Sequence, residues 1–150
     1  MKTFRTETQI DATPDAVFAY VTDFGKMHDY LPTVDHAEPA GEGKIEMDGE
    51  ADGHHYDATG WFEKDDAERT MEWGSDGQSV YSGHLSVRET PSGSLLEIML
   101  TFGAHPDEEA TFESSMETRG PAIQEGLDKS VEAVKANVEG VPVSDGAYVV

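Results

Sequence analysis

Apolar and polar residues alternate along Thr3–Ile10, with Phe4, Thr6, Thr8 and Ile10 on one face and Arg5, Glu7 and Gln9 on the other. That is the period of a half-buried strand. Asp11–Asp15 then carries the chemistry of a helix start: Thr13 in the N-cap position, Pro14 at the first helical position and Asp15 in the first turn. Val17, Phe18, Tyr20, Val21 and Phe24 supply the apolar side of a short helix. One or two further helical turns are predicted before Leu31-Pro32, because a proline pushes the residue before it out of the α region.

From Val34 to Gly103 the pattern is one of strands and turns. Lys44–Glu50 puts Ile45, Met47 and Gly49 on one face, and His54–Phe62 puts Tyr56, Ala58, Gly60 and Phe62 inward. Trp61 falls on the polar face, which calls either for a bulge or for a ring that covers an outer patch. Arg69–Trp73 turns Met71 and Trp73 inward, Ser79–Arg88 turns Tyr81, Gly83, Leu85 and Val87 inward, and Leu96, Ile98, Leu100 and Phe102 line a last strand after the turn Pro91-Ser-Gly93. Short strands at this spacing predict an antiparallel meander. Asp107–Val138 changes to a helical period, with Met116, Gly120, Ile123, Leu127, Val131, Val134 and Val138 on one stripe. Pro121 is expected to kink or offset this helix after Gly120. Glu139–Val150, with Gly140, Pro142 and Gly146, reads as a loose tail.

The order is one strand, two short helices, several antiparallel strands and one long helix, an α+β class. Together with the phrase Ile10-Asp-Ala-Thr-Pro-Asp-Ala-Val-Phe-Ala-Tyr-Val-Thr-Asp-Phe24 and the pair Leu31-Pro32, it resembles the START-like (SRPBCC) superfamily, which includes Bet v 1-like, polyketide cyclase/dehydrase and lipid-transport proteins. The resemblance implies a helix-grip domain over residues 1–138: a curved antiparallel sheet wrapped around the long C-terminal helix, with an apolar cavity between them and residues 139–150 as a tail. Such folds host carriers, cyclases, hydrolase-like enzymes and co-chaperones, so the fold leaves the function open.

Composition narrows the classes. The chain has 150 residues, within one domain's range, and no cysteine, which removes disulfide scaffolds, thiolate nucleophiles and Cys-ligated metals. Thirty-one acids against ten lysines and arginines give a net charge of −21, a field that repels nucleic acid and anionic membrane surfaces. No apolar run reaches the length of a membrane span and Met1–Ile10 lacks the apolar stretch of a signal peptide, so a cytoplasmic protein without membrane insertion is expected.

The inward positions suit a ligand more than a reaction. Met47, Tyr56, Trp73, Tyr81, Leu100 and Phe102 from the strands, with Met116 and Ile123 from the helix, form a face rich in aromatic and methionine side chains and suited to an adaptable apolar cavity. His54 shares the inward phase of Tyr56 and is a candidate polar group at the cavity mouth, with a surface histidine as the alternative. Arg119, beside Gly120, is a candidate for pairing a ligand carboxylate or phenolate, with a surface salt bridge as the alternative. The acids fall almost wholly on outward phases, so no catalytic carboxylate pair is nominated. The six histidines show no zinc-type i, i+4 spacing, and neither a metal nor a cofactor is expected. The reading is a protein that binds or carries a hydrophobic small molecule, lipid-, sterol-, quinone- or polyketide-like. The alternative is a cyclase/aromatase- or dehydrase-like enzyme that polarises a carbonyl with Tyr56, Tyr81, His54 or Arg119. A co-chaperone-like module would need an exposed apolar patch, which the clean alternation disfavours.

Overall fold

The computed structural model describes residues 2–30, 35–51, 54–75, 80–103 and 109–140. The elements are β1 (Lys2–Ile10), α1 (Pro14–Val21), a 3₁₀ helix (Phe24–Asp29), β2 (His36–Pro39), β3 (Lys44–Ala51), β4 (His54–Asp65), β5 (Thr70–Ser75), β6 (Val80–Thr90), β7 (Gly93–Gly103) and α2 (Glu109–Glu139). The strands make one antiparallel sheet in the order β1-β7-β6-β5-β4-β3-β2. This is the α+β class that the order of elements predicts and the helix-grip arrangement that the resemblance implies.

Local chemistry sets the first helices as expected. Thr13 caps α1, its hydroxyl accepting from the Ala16 N–H at 3.3 Å, and Pro14 occupies the first turn, where its missing N–H costs nothing. Asp23 does the same for the 3₁₀ helix by accepting from the Gly25 N–H at 3.0 Å. The phenol of Tyr30, just beyond, donates to the carbonyl of Val21 at 2.8 Å and so satisfies an end carbonyl of α1.

α2 runs along the edge strand β1. Gln124 Nε2 donates to the Arg5 carbonyl at 3.0 Å, Lys135 Nζ to the Gln9 carbonyl at 2.7 Å, and the Asp11 N–H to Glu139 Oε2 at 2.7 Å. Fifteen helical residues rise about 22 Å and six strand residues about 20 Å, so helix and strand keep pace over this stretch. The side chains of α2 thereby occupy carbonyls that an edge strand would otherwise offer to another chain. The Asp11 N–H and the Lys135 ammonium hold the Glu139 carboxyl below the usual carboxylate range. At the other edge β2 is only four residues long and ends in Pro39, which suits an unpaired edge.

The structure adds to the sequence reading, shifts some of its boundaries, and decides between the two alternatives for Trp61. The periodicity does not predict β2 as a separate strand. α2 starts at Glu109, reaches Glu139 and continues through Pro121 without interruption. The expected tail from residue 139 loses its first residue to α2, and 141–150 lie outside the described residues. Pairing of β4 with β3 and β5 is unbroken around Trp61, so no bulge re-phases the strand. Trp61 instead lies on the outer face, its indole over Gly74: a Cβ there would sit 2.6 Å from the ring nitrogen.

Candidate functional site

Residues directly opposite each other in neighbouring strands share a face, so the register defines the concave side of the sheet. One row runs Phe4–Leu100–Gly83–Trp73–Phe62 across five strands. The next row runs Thr6–Ile98–Leu85–Met71–Lys64, and the one after it Thr8–Leu96–Val87. Phe102 stands on the other side of the first row, paired with Tyr81 and Lys2.

Burial changes along these rows in a consistent direction. Leu96, Val87, Ile98, Leu85 and Met71 are buried, whereas Leu100, Phe102, Trp73, Phe62 and Met47 are half-buried. In α2, Val134, Val131 and Leu127 are buried and Ile123 is half-buried, while Gly120 and Met116 further toward its N-terminus are buried again, as is Phe4 of β1. The cause is α1, which packs against β6, β7 and α2 and places Val17, Phe18 and Val21 in the same core as Ile10, Leu96 and Val134. At the far end no such helix among the described residues covers the sheet, and its apolar face is only partly covered.

Aromatic side chains shape that open end. Phe4 and Phe102 meet edge to face at 5.9 Å, and Phe24 of the 3₁₀ helix meets Phe62 at 4.9 Å and 81°. The ring of Phe4 also lies 3.6 Å from where a Cβ on Gly120 would stand, which brings α2 onto β1 at this point. The indole of Trp73 lies against Gly83 so closely that a Cβ there would come within 2.2 Å of its ring atoms. A glycine on an inward strand position thus makes the seat for the largest side chain of the face.

Of the residues nominated from the sequence, Met47, Trp73, Leu100, Phe102 and Ile123 are half-buried and Met116 is buried. His54 and Tyr56 lie on β4 and Tyr81 on β6 by their backbones, and their side chains lie outside the described residues. Arg119 is exposed and borders a wide, shallow depression of about 620 Å³ together with Ala110, Thr111, Ser114 and Thr118 of α2. Phe4, Phe24 and Gly83 are not among the nominated residues. Gly83 carries a legible signal, since a glycine inside a strand marks a close approach, whereas nothing in the sequence places Phe24 over Phe62.

Chemically the open end is an apolar surface. Among the described residues, no three His, Asp or Glu side chains form a group able to hold a metal ion. Two lysines border the open end: Lys2, opposite Phe102 with its ammonium 5.8 Å from the Phe4 ring, and Lys64, one row away with its ammonium 5.7 Å from the Phe18 ring; both are exposed.

A family model for polyketide cyclase / dehydrase and lipid transport proteins matches residues 1–139. The chain belongs to this family. No curated protein matches its sequence. Among solved structures it resembles a Thermus thermophilus protein with a TM-score of 0.73 and 18% identity, over 93% of this chain and 98% of that one. It resembles the Zhui aromatase/cyclase from Streptomyces sp. R1128 with a TM-score of 0.61 and 15% identity, over 91% and 95% of the two chains. It also resembles the di-domain ARO/CYC BexL of the BE-7585A biosynthetic pathway, with a TM-score of 0.67 and 18% identity, over 88% of this chain and 47% of BexL. This chain therefore spans about half of that protein. At these identities the likeness is one of fold. In this member of the polyketide cyclase/dehydrase and lipid transport family, the sheet and the C-terminal helix share one apolar core that is only partly covered at one end. Among the described residues, no helix is long and apolar enough to cross a membrane.

Proposed function

We propose that this family member binds a hydrophobic small molecule, lipid-, sterol-, quinone- or polyketide-like, on the open end of the concave face between α2 and the sheet. The observation that carries the reading is the fall in burial along β5 and β7, which leaves Trp73, Leu100 and Phe102 half-buried, with Ile123 of α2 also half-buried. A ligand that buries about 300 Å² of apolar surface gains on the order of 7 kcal/mol before association costs, enough for micromolar binding without charged contacts.

The test is titration with fluorescent fatty acid, sterol and aromatic polyketide analogues while Trp73 emission is followed in a Trp61→Phe protein. Trp61 lies on the opposite face, so the remaining signal reports the concave side. Saturable quenching by at least one class is expected, weakened in Leu100→Ala and Met116→Ala. Binding unaffected by these changes would place the ligand elsewhere, and no binding by any class would remove the reading.

The aromatase/cyclase neighbours favour one second reading, in which Tyr56, Tyr81, His54 or Arg119 polarises a carbonyl of a poly-β-ketone held on the same face. Incubation with such a chain analogue separates the two. Unchanged analogue recovered from the complex supports a carrier, while a cyclised or dehydrated product that disappears in Tyr56→Phe or Tyr81→Phe supports the enzyme.

A further inference from the structure

The convex side of the sheet holds a second concavity, independent of the concave face. It measures about 240 Å³ and is lined by Trp61, Glu72, Ser82, Gly83, His84, Met99 and Thr101. The register explains its form. One outer row runs Trp61–Gly74–Ser82–Thr101 and the next Glu63–Glu72–His84–Met99, so bulky side chains bracket a glycine and two short hydroxyl residues. The hollow exists because Gly74 has no side chain: the Trp61 indole lies over it, and an added Cβ would come within 2.7 Å of three ring atoms.

We propose that this hollow binds a small organic cation, of the quaternary ammonium or guanidinium type. Two observations converge. An indole face is the best aromatic partner for a weakly hydrated cation. Among the described lining residues, Glu72 is the one carboxylate and no lysine or arginine accompanies it, within a molecule of net charge −21. The volume lies below the roughly 300–1,000 Å³ of drug-sized sites, so the ligand is fragment-sized. An anion is repelled, and a neutral apolar group gains nothing from Glu72.

The probe is choline, compared with its uncharged carbon isostere 3,3-dimethylbutan-1-ol, by saturation-transfer NMR on the trimethyl protons at ionic strength fixed with KCl. Saturable transfer to choline is expected, with the isostere weaker by about fivefold or more. Glu72→Gln and Trp61→Ala should each abolish most of the transfer. Ser82→Leu fills the hollow from its other side and should do the same if Trp61→Ala unfolds. A thermal melt of each variant establishes that it remains folded. Equal transfer to both probes, no saturable transfer, or a response unchanged in folded Glu72→Gln or Ser82→Leu would overturn the proposal. None of these outcomes bears on the concave face, which the Trp73 titration reads separately.

Discussion

Gly83 is the residue at which one added carbon does most to the concave face. A Cβ there meets the Trp73 indole at 2.2 Å, so Gly83→Ala must displace the ring from its seat. We expect a loss of about 1–3 kcal/mol in urea unfolding and weaker ligand binding read by Trp73, as overpacking in a fitted contact costs. An unchanged midpoint together with unchanged quenching would show that the indole has an equivalent second position. Tyr30 makes a prediction in pH. Burial pushes its phenol well above the usual range, so the folded protein keeps a proton that the unfolded chain begins to lose near pH 10. With more protons bound in the folded state, stability falls as pH rises past about 10. Tyr30→Phe should cost about 0.5–1.5 kcal/mol at pH 7, through the lost bond to the Val21 carbonyl, and should flatten that alkaline decline. Denaturant melts at pH 7, 9.5 and 10.5 check both effects, and parallel slopes in the two proteins would refute the second. At this scale the sequence is legible where chemistry is local, as at Thr13 and Pro14. It is silent on the meeting of Phe24 with Phe62, whose ring contact depends on where the 3₁₀ helix docks.

Element-scale consequences concentrate in α2. Its stripe is readable over most of the helix because seven apolar or small positions recur at three or four residues. Its interior nevertheless carries Gly120, Pro121 and Gly126, all poor helix residues. A Cβ on Gly126 meets nothing within 4 Å, and one on Gly120 makes an ordinary 3.6 Å contact with Phe4. Gly126→Ala and Gly120→Ala should therefore each stabilise by about 0.5–1 kcal/mol, about 2–4 °C in Tm per kcal/mol. Pro121→Ala should stabilise more, because it returns an N–H to the Glu117 carbonyl. Calorimetry of the three variants checks the order, and a lowered Tm for Gly126→Ala would show that the helix needs its glycine there. β2 shows the limit of such reading. His-Ala-Glu-Pro contains one buried apolar residue, Ala37, so a period of two has nothing to repeat. The strand forms because β3 offers a free edge and pairs it from His36 to Pro39.

Charge acts on the whole molecule. With 31 carboxylates and ten lysines and arginines, most acids have no cation to pair with. The pairs that do form are largely exposed, as Lys129–Glu125 at 2.9 Å and Lys64–Asp66 at 3.4 Å, and contribute little each. The dominant electrostatic effect is therefore repulsion across the surface, which salt screens from a range of about 10 Å at 0.1 M to about 3 Å at 1 M. Tm should rise between 0.05 M and 2 M KCl, and a Tm unchanged or lower in 2 M KCl would count against repulsion as the controlling term. One pair ties strands together: Arg5 grips Glu97 through Nε at 2.6 Å across β1 and β7, which raises the arginine pKa and holds the edge strand to its neighbour.

By itself the sequence determined which way side chains point. A period of two in β1, β3, β5 and β7 and a period near 3.6 in α2 are set by backbone geometry, so the alternation alone assigns Trp73, Leu100 and Phe102 to one face. Only the tertiary structure decided what stands opposite that face. α1 covers Leu96 and Val87, while Leu100 and Phe102 lie beyond it, and the alternation is identical in both places. The same limit hid the outer hollow: Trp61 reads as an apolar residue on a polar face, and its use depends on Gly74, 13 residues away and opposite it in the neighbouring strand. Periodicity records direction along one strand, and cavities arise from the side chains that neighbouring strands bring beside it.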